Sequence, residues 1–191
     1  MYSNITPKIK DQVKLAFSTV LIAQPFWQDE KYKRSVILLI DHTSAGSTGI
    51  ILNKLSNLCV NDVVSDLSLG SPLYFGGPMS LETMSFMHSN SGLSGSTYLG
   101  KDLYLNGNFD ELIQMINDKV IRPGKIKFFS GYVSWRPGEL EAEIRDQQWW
   151  TSKITAHELF SASPDDLWTY ELLLNGNIYG LLNEFPDPGM N

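Results

Sequence analysis

The residues of this chain best suited to chemistry, by type and spacing, are three glutamates that follow a proline and a glycine. Residues 128–144 read FFSGYVSWRPGELEAEI, in which Glu139, Glu141 and Glu143 stand at every second position. Paired carboxylates can serve as general acid and base, or can bind a divalent cation. Acidic side chains are also favoured in the first turn of a helix. We therefore expect a solvated helix face here, and the alternative is a site in which Glu139 or Glu141 faces a cleft.

The three histidines show no metal-ligand spacing. His42, His88 and His157 lie far apart in the sequence, whereas zinc sites draw their ligands from closely spaced pairs. His42 and His88 each lie at the end of a predicted strand, so these two side chains could be neighbours. We expect a hydrogen-bonded structural histidine at each position, and we predict no metal site and no cofactor.

Two glycine-rich segments and one serine lack the surroundings of phosphate-binding or catalytic motifs. Residues 46–49 (GSTG) precede a strand rather than a helix and lack the lysine of a phosphate-binding loop, so we predict a turn. Residues 76–78 (GGP) also predict a turn. Ser134 does not lie in a Gly-x-Ser-x-Gly elbow, and no order of Ser, His and Asp residues supports a hydrolase.

Length and composition predict one domain in a reducing cytoplasm. The chain has 191 residues, of which 42% are hydrophobic and 19% charged, as in ordinary globular proteins. Cys59 has no partner for a disulfide, and its apolar neighbours predict a buried, inert thiol. Residues 15–23 superficially resemble a signal sequence, but Ser18 and Thr19 interrupt the run, so we interpret it as a strand. No segment approaches the roughly 20 apolar residues of a membrane span.

The charge of the chain disfavours nucleic acid as a direct partner. The formal net charge is −6, which repels a phosphate backbone. The strongest basic cluster is formed by Lys119, Arg122, Lys125 and Lys127. It could be a nucleic-acid patch, but we favour a solvated loop ahead of a core strand. We expect a protein or small-molecule partner of unknown identity, no membrane partner, and a monomer or weak homodimer.

The first half of the chain is dominated by segments with the periodicity of strands. Val60, Val63, Val64 and Leu67 instead fall on one helical face, so residues 60–67 predict a helix. A short amphipathic helix is predicted at the start of the chain, at residues 8–16. The predicted strands are residues 17–23, 34–41, 48–53, 72–76, 83–88 and 102–105.

The second half is dominated by helices around one long strand. Asn108 predicts the N-cap of a helix over residues 109–120. Residues 125–133 are apolar on both faces and predict a central strand. Later elements are a helix over residues 137–148, a strand over 149–154, a helix that begins at Ser163-Pro164 and stops at Asn175-Gly176, and a poorly ordered tail at 185–191. Together these predict an α+β fold with a mixed, mostly antiparallel sheet flanked by helices.

The junction between the central strand and the helix at 137–148 has a detailed structural interpretation. Pro137 would occupy the first turn, where its missing N–H costs nothing, and Arg136 would be the cap. Trp135 and Leu140 would then have the spacing of a hydrophobic staple. For residues Trp149 and Trp150, alternation along a strand predicts one buried and one exposed ring.

Several short segments, taken in order, resemble the AlgH/YqgE family of bacterial proteins over roughly residues 20–170. The resemblance implies a curved, bifurcated sheet folded into a pseudo-barrel. It supplies no agreed catalytic residues, although some members carry the label of transcriptional regulator. The segments are Leu21-Ile22-Ala23-Gln24-Pro25, residues 34–39 (RSVILL), 49–53 (GIILN) and 72–78 (PLYFGGP), His88, Gly131-Tyr132, Trp135, Pro137-Gly138, Leu140-Glu141, Glu143, Trp149 and Trp168.

Two functional hypotheses follow. The first is a non-enzymatic, cytoplasmic binding or regulatory module, and direct DNA binding is disfavoured because no helix-turn-helix pattern is present. The alternative is an enzyme or small-ligand-binding protein with a site at the 131–141 strand–helix junction. The candidate pocket residues for that site are Asn53, Gly76, Gly77, His88, Gly131, Trp135, Glu139 and Glu141.

Overall fold

The computed structural model describes residues 15–27, 29–67 and 69–174. Most of the predicted segment 8–16, the predicted helix stop at 175–176 and the tail at 185–191 lie outside these residues. The strands are β1 (Val20–Ala23), β2 (Val36–Thr43), β3 (Gly46–Ile51), β4 (Leu55–Cys59), β5 (Pro72–Phe75), β6 (Met79–His88), β7 (Thr97–Gly100), β8 (Leu103–Leu105), β9 (Ile126–Trp135) and β10 (Trp149–Ser152). The helices are α1 (Phe109–Asn117), α2 (Glu139–Arg145), α3 (Ala156–Ser161) and α4 (Pro164–Leu174). The predicted α+β class, with a mostly antiparallel sheet, is confirmed.

The strands form one sheet that divides at β9. Its main path runs β10-β1-β2-β3-β9-β6-β8-β7 and does not close on itself. One edge of β9 pairs with β6, and the other pairs first with β5, in parallel, and then with β3. Among the described strands, β4 pairs with β5 alone and is therefore a short edge strand. The predicted bifurcation lies where β9 changes partner from β5 to β3.

Glycines allow the backbones to cross closely at this division. Gly131 has φ +73°, and a Cβ there would lie 2.3 Å from the carbonyl oxygen of Gly77 and 2.8 Å from that of Met79. A Cβ at Gly76 would lie 2.4 Å from the carbonyl oxygen of Gly131. The Gly76 N–H donates to the Ser130 carbonyl at 2.7 Å, and its carbonyl accepts from the Ile51 N–H at 2.8 Å. Only glycine satisfies both the space and the left-handed backbone at position 131.

Both faces of β9 are buried, as its sequence predicts. Phe128 packs in a cluster with α1, and Phe129 packs on the opposite face in a cluster with α3 and α4. In that second cluster the indole N–H of Trp168 donates to the carbonyl of Ala23 at 2.7 Å. This bond ties α4 to β1 across 145 residues of sequence.

The predicted helix at 60–67 is wrong. The segment forms one 3₁₀ turn, Val60–Asp62, in which the Asp62 carboxylate accepts from the Cys59 N–H at 2.7 Å. Val60 and Leu67 are buried, but Val63 is 53% exposed. Three β-branched valines have low helix propensity, which tertiary packing does not offset here. Cys59 is exposed, contrary to prediction, because it ends the edge strand β4.

The junction helix also differs from its prediction. α2 begins at Glu139, and its N-cap is Gly138 with φ +79°, so Arg136 is not the cap. The Glu139 carboxylate instead accepts from the Arg136 N–H at 2.7 Å, which fixes a turn ahead of the helix. Because the N-cap lies two residues later than predicted, Trp135 and Leu140 no longer have the spacing of a hydrophobic staple. Both are nevertheless buried in one cluster.

The paired tryptophans of β10 are both packed, so the prediction of one exposed ring is wrong. Trp149 lies in the cluster beneath α2, and Trp150 packs partly buried against the cluster beneath α3 and α4. Alternation does place them on opposite faces, but both faces of β10 are covered.

The predicted caps of two helices are confirmed. The Asn108 side chain accepts from the Glu111 N–H at 3.0 Å, and the Ser163 hydroxyl accepts from the Asp166 N–H at 3.2 Å. α1 ends at Asn117, three residues before the predicted end, and Val120 is 58% exposed. Among the helices of the described residues, none is both long and apolar enough to cross a membrane.

Candidate functional site

The three junction glutamates have separate surroundings. The Glu143 carboxylate accepts hydrogen bonds from two indole N–H groups, that of Trp135 at 2.8 Å and that of Trp149 at 2.6 Å. The rings of Trp27 and Tyr32 pack against Trp149, with centroids at 4.5 and 6.2 Å. Glu143 therefore holds strand β9 and strand β10 together from α2.

Glu141 is the junction glutamate that approaches another ionisable side chain. Its Oε1 lies 3.7 Å from Nε2 of His42, and Nδ1 of His42 lies 2.8 Å from the Ser47 hydroxyl. His42 and Ser47 face each other across the β2–β3 hairpin. The side chains of Ser47, His42 and Glu141 thus form a spatial series of hydroxyl, imidazole and carboxylate. The positions of these residues in the sequence do not predict this series.

The strand–helix junction carries a concentration of negative charge. Burial raises the pKa of the Tyr32 hydroxyl, and the nearby carboxylates of Asp29, Glu143 and Glu139 raise it further. Within residues 15–27, 29–67 and 69–174, no group of three or more His, Cys, Asp or Glu side chains is placed to hold a metal ion.

Four of the sequence-predicted pocket residues come together where the sheet divides. Gly76, Gly77 and Gly131 are in direct backbone contact. Asn53 adjoins them, because the carbonyl of the next residue, Lys54, accepts from the Phe75 N–H at 2.8 Å. The Asn53 side chain accepts from the Val36 N–H and donates to the Arg34 carbonyl, both at 2.8 Å. These groups are occupied by the fold and leave no space for a ligand between the glycine backbones.

His88 lies far from the other pocket residues. It pairs with Ile126 at the start of β9, whereas Trp135 pairs with Ser47 at the end of that strand. Nine residues of strand separate these positions by about 30 Å. His42 and His88 are therefore not neighbours, which removes the alternative that their side chains meet.

His88 is fully buried and neutral. Its Nδ1 accepts from the Asn90 N–H at 3.2 Å, so Nε2 carries the proton and donates to the Asn106 carbonyl at 2.9 Å. The Ser96 hydroxyl lies 3.1 Å from the same Nε2. Burial lowers the pKa of His88, and these two backbone hydrogen bonds partly oppose that shift. The ring fixes the loop that follows β6.

Two adjoining depressions lie beside this loop, at the opposite end of β9 from the glutamates. The larger is about 660 Å³ and is lined by Leu69, Ile116, Asn117, Lys119, Ile121, Arg122 and Pro123. The smaller is about 440 Å³ and is lined by Ser89, Asn90, Ser91, Val120, Ile121, Arg122 and Lys125. We call the region formed by these residues the loop end of β9.

Three members of the basic cluster found in the sequence surround these depressions. Lys119, Arg122 and Lys125 are exposed, as the interpretation of a solvated loop requires. The sequence did not predict that they would meet the Ser89–Ser91 loop, which lies about 30 residues earlier in the chain. The feature of the sequence that pointed to this region was its concentration of positive charge in an acidic chain.

The fourth member of the cluster, Lys127, is in the core. It is only 9% exposed, and its Nζ lies 4.7 Å from the centroid of the Tyr74 ring. Burial lowers the pKa of Lys127 to about 8. Lys127 is therefore separate from the exposed cations of the loop end.

Comparison with known proteins places the chain among relatives of similar length. It is 37% identical over 171 residues to a UPF0301 protein of Bacteroides thetaiotaomicron, covering 87% of this chain and 86% of that protein. A UPF0301 protein of Parabacteroides distasonis is 36% identical and covers 100% of this chain and 98% of its own. Neither name states a function.

Two solved structures share the fold. The solution structure of the AlgH protein from Pseudomonas aeruginosa superposes with a TM-score of 0.71 at 25% identity, covering 95% of this chain and 99% of its own. The crystal structure of protein DIP2367 from Corynebacterium diphtheriae gives a TM-score of 0.73 at 23% identity, covering 90% and 93%. The AlgH-like family model matches residues 20–179. These matches, with the sheet that divides at its glycines, show that the chain belongs to the AlgH-like family.

Proposed function

We propose that this protein is a non-enzymatic, cytoplasmic binding module that holds a small ligand at the loop end of β9. The observation that carries the proposal is the rim of three exposed cations, Lys119, Arg122 and Lys125, around two adjoining depressions. The larger volume is within the range of about 300–1,000 Å³ typical of small-molecule sites.

The state of the junction supports binding rather than catalysis. Glu143 accepts from two indoles, Glu139 caps the turn before α2, and Asn53 bridges two backbone groups. Side chains that already satisfy the fold in this way are poorly placed to exchange protons with a substrate. A regulatory role, the label of some family members, would then act through a protein partner, since a net charge of −6 opposes DNA contact.

A thermal-shift screen with a broad metabolite panel tests the proposal. A ligand that binds only the folded protein raises its melting temperature. We expect at least one compound to do so, to remain chemically unchanged, and to lose its effect in a Lys119→Ala/Arg122→Ala double variant but not in Glu139→Gln. If no compound in the panel raises the melting temperature, the proposal is wrong.

The Ser47–His42–Glu141 arrangement favours one second candidate, an acyl-transferring hydrolase at the junction. The Ser47 hydroxyl could give its proton to Nδ1 of His42, while Glu141 orients the ring through Nε2; the two ring nitrogens are exchanged relative to the usual hydrolase triad. It ranks second because Ser47 is only 4% exposed and Glu141 stands 3.7 Å from the ring.

The second candidate has a direct test with an activated ester such as p-nitrophenyl acetate. A true catalytic serine would make Ser47→Ala lose at least about 100-fold in hydrolysis rate, and Glu141→Gln would lose less. Equal hydrolysis by wild type and Ser47→Ala would exclude this role. Ser134→Ala, an exposed serine on β9, is the matched control.

A further inference from the structure

We propose that the ligand of the loop end is a small organic phosphate, with its phosphate against Arg122 and Lys125 and its apolar portion against Ile121 and Pro123. This inference rests on the proposed function and names the ligand class for the same site.

Arg122 is the residue that joins the two depressions, since it lines both of them together with Ile121. A guanidinium binds a phosphate through two parallel N–H groups, and a lysine adds a point charge. Lys125 supplies that charge on the smaller side. Arg122 and Lys125 can therefore share one phosphate at the boundary.

The smaller depression has the polar groups that a phosphate needs. Ser89 and Ser91 contribute hydroxyl donors, and Asn90 contributes an amide. In the described part of the chain, none of the residues that line either depression carries a carboxylate. An anion entering this side would meet cations and neutral donors only, in a protein whose net charge is −6.

The larger depression has a different character. Leu69, Ile116 and Ile121 form its floor and are themselves 3–6% exposed, and the exposed Pro123 forms part of its wall. Asn117 is the uncharged polar side chain of this lining. An apolar body with one or two polar atoms fits such a surface, so the two depressions together favour a molecule that is apolar at one end and phosphorylated at the other.

The walls of both depressions are held by backbone hydrogen bonds. The N–H groups of Val120 and Ile121 both donate to the Met115 carbonyl, at 2.8 and 3.1 Å. The Lys125 N–H donates to the Arg122 carbonyl at 2.9 Å, and the Ser89 N–H donates to the Lys125 carbonyl at 3.3 Å. A preformed site spends little free energy on ordering loops when a ligand binds.

Isothermal titration calorimetry of the full chain tests the inference with three probes. ADP carries a flat base, geranyl diphosphate carries an aliphatic chain, and inorganic diphosphate carries no apolar portion. We expect one of the two organic phosphates to bind at least about tenfold more tightly than inorganic diphosphate, and to bind more weakly as salt concentration rises.

Variants locate the site. Arg122→Ala should weaken binding of the preferred probe by about tenfold or more, and Lys125→Ala by a smaller factor. Arg136→Ala is the matched control, because it removes one exposed arginine at the opposite end of β9. The affinity of Arg136→Ala for the preferred probe should stay within about twofold of wild type. Melting temperatures of all variants confirm folding.

The outcomes separate this inference from the proposed function. If a non-phosphorylated compound stabilises the protein and none of the three phosphates binds, the inference fails and the binding function stands. If nothing in the panel binds, both fail. Equal affinity in Arg122→Ala and Arg136→Ala, or much tighter binding of an RNA oligonucleotide than of ADP, would overturn the assignment of the site to a small phosphate.

Discussion

The two ends of strand β9 differ in what their charged side chains contact. At the junction end, Trp135 donates to Glu143, which also accepts from Trp149, and Glu139 closes the turn ahead of α2. At the loop end, Arg122 and Lys125 extend into the solvent around two depressions. At the junction end, Glu139 and Glu143 hold the fold, whereas at the loop end the cations are exposed to solvent.

The difference shows that the segment with the most distinctive sequence, the junction, is not the region whose charged side chains are most accessible to a ligand. Aromatic rings, proline, glycine and acids are concentrated at the junction because several elements must meet there in a small volume. The loop end is held by backbone hydrogen bonds and by the buried His88 ring, and its cationic side chains are exposed to solvent. Each of the following experiments tests whether the two ends differ in the way described.

The largest effect is expected where the sheet divides. Gly131→Ala would bring a Cβ to 2.3 Å from the Gly77 carbonyl oxygen and would impose φ +73° on a residue with a side chain. Steric overlap and left-handed strain together should cost about 4 kcal/mol of unfolding free energy. Gly124→Ala, at the loop end, meets nothing within 4 Å. It should change stability by less than about 1 kcal/mol in urea unfolding. Similar losses in the two variants would contradict the comparison.

The next effect concerns the shared carboxylate. Glu143→Ala leaves two buried indole N–H groups without their acceptor, which should cost about 3 kcal/mol. Glu141→Ala, on the same helix but with a side chain that is 44% exposed, should cost less than about 0.5 kcal/mol. Urea unfolding followed by tryptophan fluorescence measures both. A Glu143 variant as stable as the Glu141 variant would show that the indole bonds contribute little.

Lys127 tests the boundary between the two ends, because it lies near the start of β9 but faces the core. Its pKa of about 8 in the folded state is below its ordinary value of 10.5, so below pH 8 the folded state carries the full cost of a buried cation. Lys127→Met should therefore stabilise the protein at pH 7 by about 2 kcal/mol, after allowance for the lost contact with Tyr74. The advantage should shrink as pH rises from about 8 to 10.5, since the wild type then loses its proton.

The control for Lys127 is Lys125→Met, at an exposed position two residues away. This variant should leave the unfolding free energy within about 0.5 kcal/mol of wild type, both at pH 7 and at about pH 10.5. Destabilisation by Lys127→Met at pH 7 would mean that the ammonium group stabilises the fold through its contact with the Tyr74 ring.

The smallest effect is a pH dependence at the loop end. Burial lowers the pKa of His88, so the unfolded chain takes up a proton at a higher pH than the folded protein does. The contribution of neutral His88 to stability is complete above pH 6.5 and is lost as the pH falls below that value. His88→Gln should flatten this part of the stability curve between pH 7 and 5. An unchanged curve in the variant would assign the acid sensitivity to other groups.

Local patterns predicted those parts of the fold that depend on neighbours in sequence. The caps of α1 and α4, and the burial of Phe128 and Phe129, follow from spacing alone. The helix α3 was missed, although Thr155 and Glu158 form a capping box that the sequence displays. The exposure of Cys59 was missed because the position of β4 at the edge of the sheet is not encoded by periodicity, and the helix at 60–67 failed because its valines have low helix propensity.

The sites could not be predicted because their parts come from separate segments. Glu143 meets Trp135 and Trp149 only after β9 and β10 have been placed on either side of α2. Arg122 and Ser89 line the same depression because His88, at the end of β6, pairs with Ile126, at the start of β9. Sequence spacing predicted the conformation of each segment, but contacts between distant segments depend on the topology of the sheet.

The hydrogen bond between Trp168 and Ala23 has a consequence for synthesis on the ribosome. β1 is among the first strands to emerge, and it is fully apolar, reading VLIA. Its outer edge is covered by β10 and its face by α4, both of which are made more than 120 residues later. A chain truncated near residue 148 would therefore keep β1 paired with β2 but expose its other edge and one apolar face, and such an edge is a template for aggregation.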